Sequence, residues 1–366
     1  MNTLVLDETA LQQLVLRIGV DVLMDNLIDR TAKAFADYDP SATVIPQRTG
    51  FHYQSPTGLV EWMPLHECGE SVLMKVVGYH PINPIRSGLP TIVSTMSSYD
   101  TQTGHLSAIV DATFLTALRT GAASCAASQW LARPDSEVLG LVGCGAQAVT
   151  QLHALSRRFP IREVLLHDID ASAASSLRGR LSGIVDESVV FREVSCQELA
   201  TKSDIICTAT SVEIGEGPVM ELEQFQPHLH INAIGSDLPG KTELPREFLE
   251  NSFVCPDFIP QARVEGECQQ LPNDRDMVSI SEVAKSSDQY DWATKQATVF
   301  DSTGWALEDW VAMKWVIEKA KEFGIGTYIA IESLSGDPRN PYQFLTDSVP
   351  PQRQTLHVTE SPGSGR

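Results

Sequence analysis

Basic residues are scarce in this chain. Lys and Arg number 27 against 47 Asp and Glu, a formal net charge of −20. That balance argues against the broad basic face with which proteins hold nucleic acid or an anionic membrane surface. Long apolar runs are also missing, and none reaches the length needed to span a bilayer. The opening residues MNTLVLDETALQQLVL carry Asp7 and Glu8 and no basic start, so no secretory signal is expected. Cysteine is present but unorganised. Cys68, Cys125, Cys144, Cys196, Cys207, Cys255 and Cys268 are odd in number, irregularly spaced and free of any Cys-x-x-Cys. That pattern speaks against a disulfide framework and against a zinc site, so no metal is expected, and it suits reduced thiols in a cytoplasmic protein. What remains is ordinary for a soluble globular chain. Hydrophobic residues make up 42 % and charged residues 20 % of 366 positions, enough for about two domains.

The clearest local order runs from Val138 to Asp170. Residues 138–142, VLGLV, form a short apolar run of the kind a buried parallel strand needs. Gly143-x-Gly145-x-x-Ala148 follows and enters a helical pattern with Ala148, Leu152 and Leu155. A second strand, Val164 to His167, ends at Asp168. Gly143 permits a tight turn, Gly145 leaves the space in which a Cβ would block a pyrophosphate, and Ala148 lets the helix lie close on the sheet. The helix N-terminus offers N–H groups and partial positive charge to phosphates. Asp168 stands 168 − 143 = 25 positions after the first glycine, about where a carboxylate accepts hydrogen bonds from a ribose diol. A carboxylate there repels a 2′-phosphate, so NAD is expected rather than NADP. On these residues alone, a doubly wound unit with a glycine turn and no nucleotide is the alternative.

Upstream, the apolar spacing predicts helices over Thr9 to Ile18 and Asp21 to Tyr38. Strands are expected at Thr43 to Arg48, Leu59 to Met63, Val72 to Val77, Thr91 to Tyr99 and Leu106 to Asp111, as an antiparallel or mixed sheet. Arg48, Glu61 and Lys75 are charges inside otherwise apolar runs. Each alone suits a solvated strand position, but three on adjacent strands could line a cleft for a zwitterion. A helix from Phe114 to Leu131 is rich in small residues suited to close packing on the nucleotide unit, and it carries Arg119. A buried arginine there needs an anion, either a ligand or a salt-bridge partner.

Downstream, the strand–helix alternation continues. Thr210 follows the strand Ile205 to Thr208, and the strand His230 to Ile234 runs into Gly235-Ser236-Asp237-Leu238-Pro239-Gly240-Lys241. Ligands collect at the C-terminal ends of parallel strands, so Thr210 and Asp237 become candidates, with an Asx turn or helix cap as the plainer reading of Asp237. Arg263 to Leu271 is polar and without pattern. Ser279 to Lys295 suggests helix plus surface loop. Thr298 to Asp301 reads as a strand, followed by Ser302-Thr303-Gly304 and a long helix stopped by Gly324. Gly326 to Ile331 is expected to return as a strand to the first domain, and residues 351–366 to be disordered. The domains expected are 1–125 with about 325–350, and 126–324.

Six segments taken in order resemble the ornithine cyclodeaminase/μ-crystallin family: VEWMP (60–64), LTALRTGAAS (115–124), GCGAQA (143–148), NAIGSDLPGKTEL (232–244), RVEGECQQLP (263–272) and VFDSTGWALED (299–309). The resemblance implies an α/β fold, a Rossmann-type doubly wound parallel sheet plus an α+β substrate-binding and dimerisation domain. It implies a homodimer and catalytic NAD. The activity implied is a cyclodeaminase that closes a basic L-amino acid into a cyclic imino acid and releases ammonia. VEWMP, VGYHPINPIRSGLPTI (77–92) and GAQAVTQLHALS (145–156) look closer to lysine than to ornithine cyclodeaminases, so L-lysine to L-pipecolate is favoured over L-ornithine to L-proline. By the same resemblance, Arg48, Lys75 and Arg119, with Thr303, would bind substrate. Glu61 would face the amino groups and Asp237 would be the general acid/base. Thr91, Arg119, Gly143, Gly145, Ala146, Gln147, Asp168, Thr210, Ile234, Gly235, Ser236, Asp237, Lys241 and Ser302 would contact NAD. A cyclic-ketimine reductase or amino-acid dehydrogenase of the same family is the alternative activity, and a non-catalytic binding protein is a third reading.

Overall fold

The computed structural model describes residues 1–54 and 57–346; the tail 351–366, expected to be disordered, lies outside them. Two sheets organise the chain. The first takes β1 (Thr3–Leu6), β2 (Thr43–Val44), β3 (Thr49–Gln54), β4 (Thr57–Glu67), β5 (Ser71–Tyr79), β6 (Ile92–Asp100), β7 (Leu106–Asp111) and a strand from the far end of the chain, Thr327–Ile329. Its order is Thr327–Ile329, β1, β7, β6, β5, β4, β2, with β3 also paired to β4. All pairings are antiparallel except β1 with β7. Side chains alternate across a strand, and β4 buries Leu59, Glu61, Met63 and Leu65 while β5 buries Leu73, Lys75 and Val77. Glu61 and Lys75 therefore point to one buried face. Helices α1 (Glu8–Ile18) and α2 (Val20–Asp37) bury Leu11, Leu14, Leu23, Leu27 and Phe35. The first starts at Asp7, whose carboxylate accepts from Ala10 N at 2.9 Å, a standard N-cap.

Two strands depart from the sequence expectation. β1 is too short for alternation to stand out and exists through its pairing on both sides. The run expected at Thr43 to Arg48 stops at Val44, since Pro46 has no N–H for a ladder. The chain resumes as β3, so Arg48 lies in the intervening loop rather than on a strand.

After α3 (Asn83–Arg86), helix α4 (Thr113–Leu131) leads into the second sheet. It is a single helix through residues 113–131, so the division expected at 125/126 falls inside it. Its small residues permit close approach: a Cβ on Gly121 would lie 2.4 Å from Thr150 O, on the helix of the glycine turn. The second sheet holds β8 (Val138–Val142), β9 (Glu163–His167), β10 (Val190–Glu193), β11 (Ile205–Thr208), β12 (His230–Ala233), β13 (Phe253–Pro256) and β14 (Thr298–Asp301). All are parallel, in the order β10-β9-β8-β11-β12-β14-β13. The direction of winding reverses between β8 and β11, where doubly wound sheets open a ligand crevice.

The helices of this half are α5 (Ala146–Ser156), α6 (Ala171–Arg180), α7 (Cys196–Lys202), α8 (Arg246–Glu250), α9 (Ile259–Glu265), α10 (Ile280–Lys285) and α11 (Ala306–Phe323). Of the stretch Ser279 to Lys295, only α10 is α-helix; a Ser279–Glu282 capping box starts it. Gly324, at φ +67°, ends α11. The last strand, β15 (Thr327–Ile329), pairs antiparallel with β1, as the return of the chain to the first sheet requires. One apolar core runs from the first sheet through α4 to one face of the second, and another fills the opposite face. No helix among the described residues is long and apolar enough to cross a membrane.

Candidate active site

A cavity lies where the C-terminal ends of the parallel strands meet the buried face of the mixed sheet. It is lined by Arg48, Glu61, Lys75, Arg119, Gln147, Ile234, Asp237, Ser302 and Thr303, nine of the positions expected to matter, together with Leu59, Met63, Val77, Tyr79, Ile92, Thr116, Thr120 and Gly304. Thr91, Gly143, Gly145, Ala146, Asp168, Thr210, Gly235, Ser236 and Lys241 do not line it. The first of these precedes β6, and the others sit behind the cavity or along the glycine turn.

The charges reach the cavity already paired. Lys75 Nζ lies 3.0 and 3.1 Å from the two carboxylate oxygens of Asp309. Arg119 Nε lies 2.9 Å from Asp309 Oδ1, and its Nη1 donates to Glu308 Oε2. Both acids are in the first turn of α11 and fully buried, where the partial positive charge of a helix N-terminus favours carboxylates. Burial, together with the Arg119 charge, pushes the Lys75 ammonium down to about 8, against the pull of Asp309. Burial raises Glu308 to about 8, with Arg119 opposing. Gly304, at φ +87°, keeps the loop clear of this group, since a Cβ would come within 3.0 Å of Arg119 Nη2. Gln261 and Asp257 fix the same loop. Gln261 Nε2 donates to Thr303 Oγ1 at 2.7 Å, and Gly304 N donates to Asp257 Oδ2 at 2.9 Å.

Arg48 gathers a second group. Its Nε stands 3.4 Å from Glu61 Oε2, its Nη1 donates to Thr303 O at 3.0 Å, and its Nη2 reaches Glu265 Oε2 and the backbone carbonyl of Asp237. Burial raises Glu265 to about 7, with Arg48 opposing. Asp237 Oδ1 meets Lys241 Nζ at 2.8 Å, and that ammonium also lies 5.2 Å from the centre of the Tyr79 ring. Burial lowers the Lys241 affinity for its proton, but Asp237 and Tyr79 outweigh it and hold the group above its ordinary value.

Behind Asp237 the strand ends are stitched together by Glu243. Its carboxylate accepts from Thr208 Oγ1 at 2.6 Å, Thr210 N at 2.6 Å, Thr210 Oγ1 at 2.7 Å and Gly235 N at 2.9 Å. A Cβ on Gly235 would stand 2.3 Å from that carboxylate. Thr210 is therefore at the strand end, as its position implied, but both its donors are spent on Glu243. Ser236 Oγ likewise donates to Lys241 O at 2.6 Å and is fully buried.

The glycine turn is open where a phosphate would need it to be. Gly143 has φ +89° and packs on Ala209 O, while a Cβ on Gly145 would meet nothing within 4 Å. Gly145 caps α5 without any side-chain bond, leaving the first N–H groups of that helix without a cap. Asp168 is half-buried at the end of β9 and accepts from Cys144 N at 2.6 Å, so it also braces the turn. Among the described residues, Ser302 Oγ is buried on the cavity wall with no hydrogen-bond partner, so it has hydrogen-bonding capacity to offer a bound molecule.

Glu243, Asp257, Gln261, Glu265, Glu308 and Asp309 were not foreseen as part of the site. In ALED, two acids opening a helix read as dipole-favoured surface charge. In RVEGECQQL, a polar run without period reads as loop. Only burial distinguishes them: Glu243, Glu308 and Asp309 are each 0 % exposed.

Residues 8–324 match the model of the ornithine cyclodeaminase/mu-crystallin family. The chain belongs to that family. An L-lysine cyclodeaminase of Streptomyces rapamycinicus is 42 % identical over 346 residues, 94 % of this chain and all of that protein. Among solved structures, a lysine cyclodeaminase described in terms of recognition of L-lysine, L-ornithine and L-2,4-diaminobutyric acid superposes with TM-score 0.91 at 43 % identity, over 94 % of this chain and 100 % of that one. An archaeal alanine dehydrogenase dimer with bound NAD gives TM-score 0.79 at 33 % identity, over 91 % and 100 %.

Proposed function

We propose that this protein is an NAD-dependent cyclodeaminase that converts L-lysine to L-pipecolate with release of ammonia, with L-ornithine to L-proline as the second substrate. The observation that carries the reading is the charge balance of the cavity. Six acidic side chains (Glu61, Asp237, Asp257, Glu265, Glu308 and Asp309) stand in or directly behind it against four basic ones, Arg48, Lys75, Arg119 and Lys241. With burial holding Glu308 at about 8 and Glu265 at about 7, part of that acid is protonated near neutrality and can ionise when a further cation enters. A simple α-amino acid brings one charge of each sign. A diamino acid brings an additional ammonium, which that surplus of acid accommodates. The similarity to lysine cyclodeaminases supports the same choice.

The open glycine turn, the uncapped start of α5 and the unpartnered Ser302 hydroxyl fit a dinucleotide. Gly143, Gly145, Ala146 and Gln147 would hold its phosphates, Asp168 its adenosine ribose, and Ile234 and Ser302 its nicotinamide end. When bound, NAD supplies a hydride acceptor for the substrate Cα and, once reduced, the donor that returns the hydride, so none is consumed. Arg48 and Arg119 hold the substrate carboxylate and so fix the orientation of Cα. Asp237 takes a proton as the side-chain amine attacks the activated carbon and gives one to the departing ammonia. Lys241 keeps that carboxylate in place. Glu61 faces the amino groups, and Leu59, Met63 and Val77 bound the cavity beside it and limit water.

Ammonia release with substoichiometric NAD⁺ tests the reading. Many ammonia molecules per NAD⁺ are expected, with L-lysine giving the higher kcat/KM. The margin over ornithine is expected to be modest, since one methylene discriminates by about 1–3 kcal/mol. One turnover per cofactor would make the protein a dehydrogenase, and none would make it a binding protein. A clear ornithine preference would reverse the substrate order, and equal rates with NADP⁺ would remove the role given to Asp168.

The second copy of a homodimer would cover the outer face of the mixed sheet. Phe51 and Trp62 meet edge to face there, Val76 lies opposite Trp62, and Val93 lies opposite Gly78. Phe51 is 70 % exposed in the single chain, and an apolar sheet face of this kind marks an interface. Sedimentation at micromolar concentration is expected to give twice the chain mass, and a monomer would overturn the assignment. All seven cysteines are free, which suits a reducing cytoplasmic compartment.

A further inference from the structure

Glu61 is almost sealed. Its side chain is 5 % exposed, yet it lines the cavity and must exchange protons if it serves the substrate amino groups. Among the described residues it has two side-chain partners. Arg48 Nε stands 3.4 Å from Oε2, and a guanidinium does not give up its proton. His52 Nε2 stands 2.9 Å from Oε1, and an imidazole both takes and gives protons near neutral pH. The His52 side chain is 50 % exposed, so this pair leads from a buried carboxylate to solvent.

The contact follows from strand register. Gly50 lies opposite Glu61 and His52 opposite Leu59, which puts His52 on the same side of the sheet as Glu61. Gly50 allows the approach: a Cβ there would be 2.3 Å from Val60 O and 2.7 Å from Glu61 Cγ. A larger residue would push β3 away and break the pair.

Building on the cyclodeaminase reading, we propose that His52 is the residue through which Glu61 exchanges protons with solvent. His52 does not touch substrate; it is a positioning and relay residue that acts through Glu61. Substrate enters with its side-chain amine protonated, and that nitrogen must lose a proton before it can attack. Its N–H bond breaks as an O–H bond forms on Glu61. The proton passes from Oε1 to His52 Nε2, and the imidazolium releases one to water. Loss of that proton leaves Glu61 as the carboxylate again, ready for the next substrate. No electrons move, and no co-reactant besides water is needed.

The test compares the full-length protein with His52→Gln, His52→Ala and Glu61→Gln, in the ammonia assay with NAD⁺ and L-lysine. Glutamine keeps an N–H donor to Glu61 but cannot relay. Both His52 variants are expected to lose about 10²-fold in kcat, the lower end for a positioned acid–base group, with KM for lysine little changed. Added imidazole is expected to restore much of the rate of His52→Ala and none of that of Glu61→Gln. Wild-type kcat in His52→Gln would show that His52 only holds Glu61 by a hydrogen bond, and would overturn the proposal. Absence of imidazole rescue in His52→Ala would overturn it as well. If the wild type itself released no ammonia, the functional reading would fail and take this inference with it. An active wild type with unaffected His52 variants would sink the inference alone.

Discussion

Replacing Asp237 by Asn is expected to lower kcat about 10²–10⁴-fold, the usual contribution of a general acid/base, with NAD⁺ affinity nearly unchanged. The side chain is held at one carboxylate oxygen, and the backbone that carries it is anchored as well. Its Oδ1 faces the Lys241 ammonium at 2.8 Å, and its backbone carbonyl receives Arg48. The loop that carries it is anchored one step back, where Gly235 N donates to Glu243 at 2.9 Å. Asn keeps the size of the side chain and can still accept from Lys241, so the loop has little reason to move. What it loses is the ability to take a proton. A large fall in kcat with KM and NAD⁺ binding preserved would thus report on the chemistry rather than on the fold. If the variant turned over near the wild-type rate, Asp237 would be a loop anchor. Glu61 would then be the leading candidate for the base.

Asp309→Ala is expected to destabilise the fold by about 3–5 kcal/mol, the cost of breaking a buried ion pair by removing one partner. One carboxylate here serves two cations, Lys75 Nζ at 3.0 Å and Arg119 Nε at 2.9 Å. Lys75 is 1 % exposed and Arg119 5 %. Arg119 retains Glu308; Lys75 retains no carboxylate within ion-pair distance among the described residues. Chemical denaturation measures the loss, and a deficit below about 1 kcal/mol would show that water replaces the acid at little cost. Even in the wild type, Lys75 sits at about 8 instead of 10.5. Between those values the unfolded chain binds more protons than the folded one, so this group makes stability rise with pH across that window. Without Asp309 the pull that favours the charged form is gone. The folded value falls further and the window widens downward, so the deficit grows as pH falls below about 8 and shrinks in alkali.

Several of these relations follow from residue pattern alone. The strand, glycine turn, helix, strand and acid of 138–168 depend on local conformation: a positive φ at Gly143, a missing Cβ at Gly145, an apolar run of strand length. Local conformation is what neighbouring residues determine, and the parallel sheet appears where that pattern places it. The charges inside apolar runs, Arg48, Glu61, Lys75 and Arg119, stood out because an apolar context makes a charge costly, and all four line one cavity. Asp237 was reachable from its place after a parallel strand.

The partners of these charges were not reachable. Asp309 is 234 positions from Lys75, and Glu265 is 217 from Arg48 (265 − 48). Whether an acid at the start of a helix faces water or a buried lysine depends on which element packs over it. No spacing rule encodes that. The strand β1 and the break at Pro46 are similar cases, one created by its neighbours and one by a missing N–H. The sequence by itself determined the doubly wound sheet, the glycine turn and the charges that had to be explained, because each rests on contacts within a few residues. Only the tertiary structure decided that those charges arrive neutralised, that Glu243 ties two strand ends together and that His52 connects Glu61 to water. Each of these depends on distances of about 3 Å between atoms far apart in the chain, which are set by packing and by the low dielectric that packing creates.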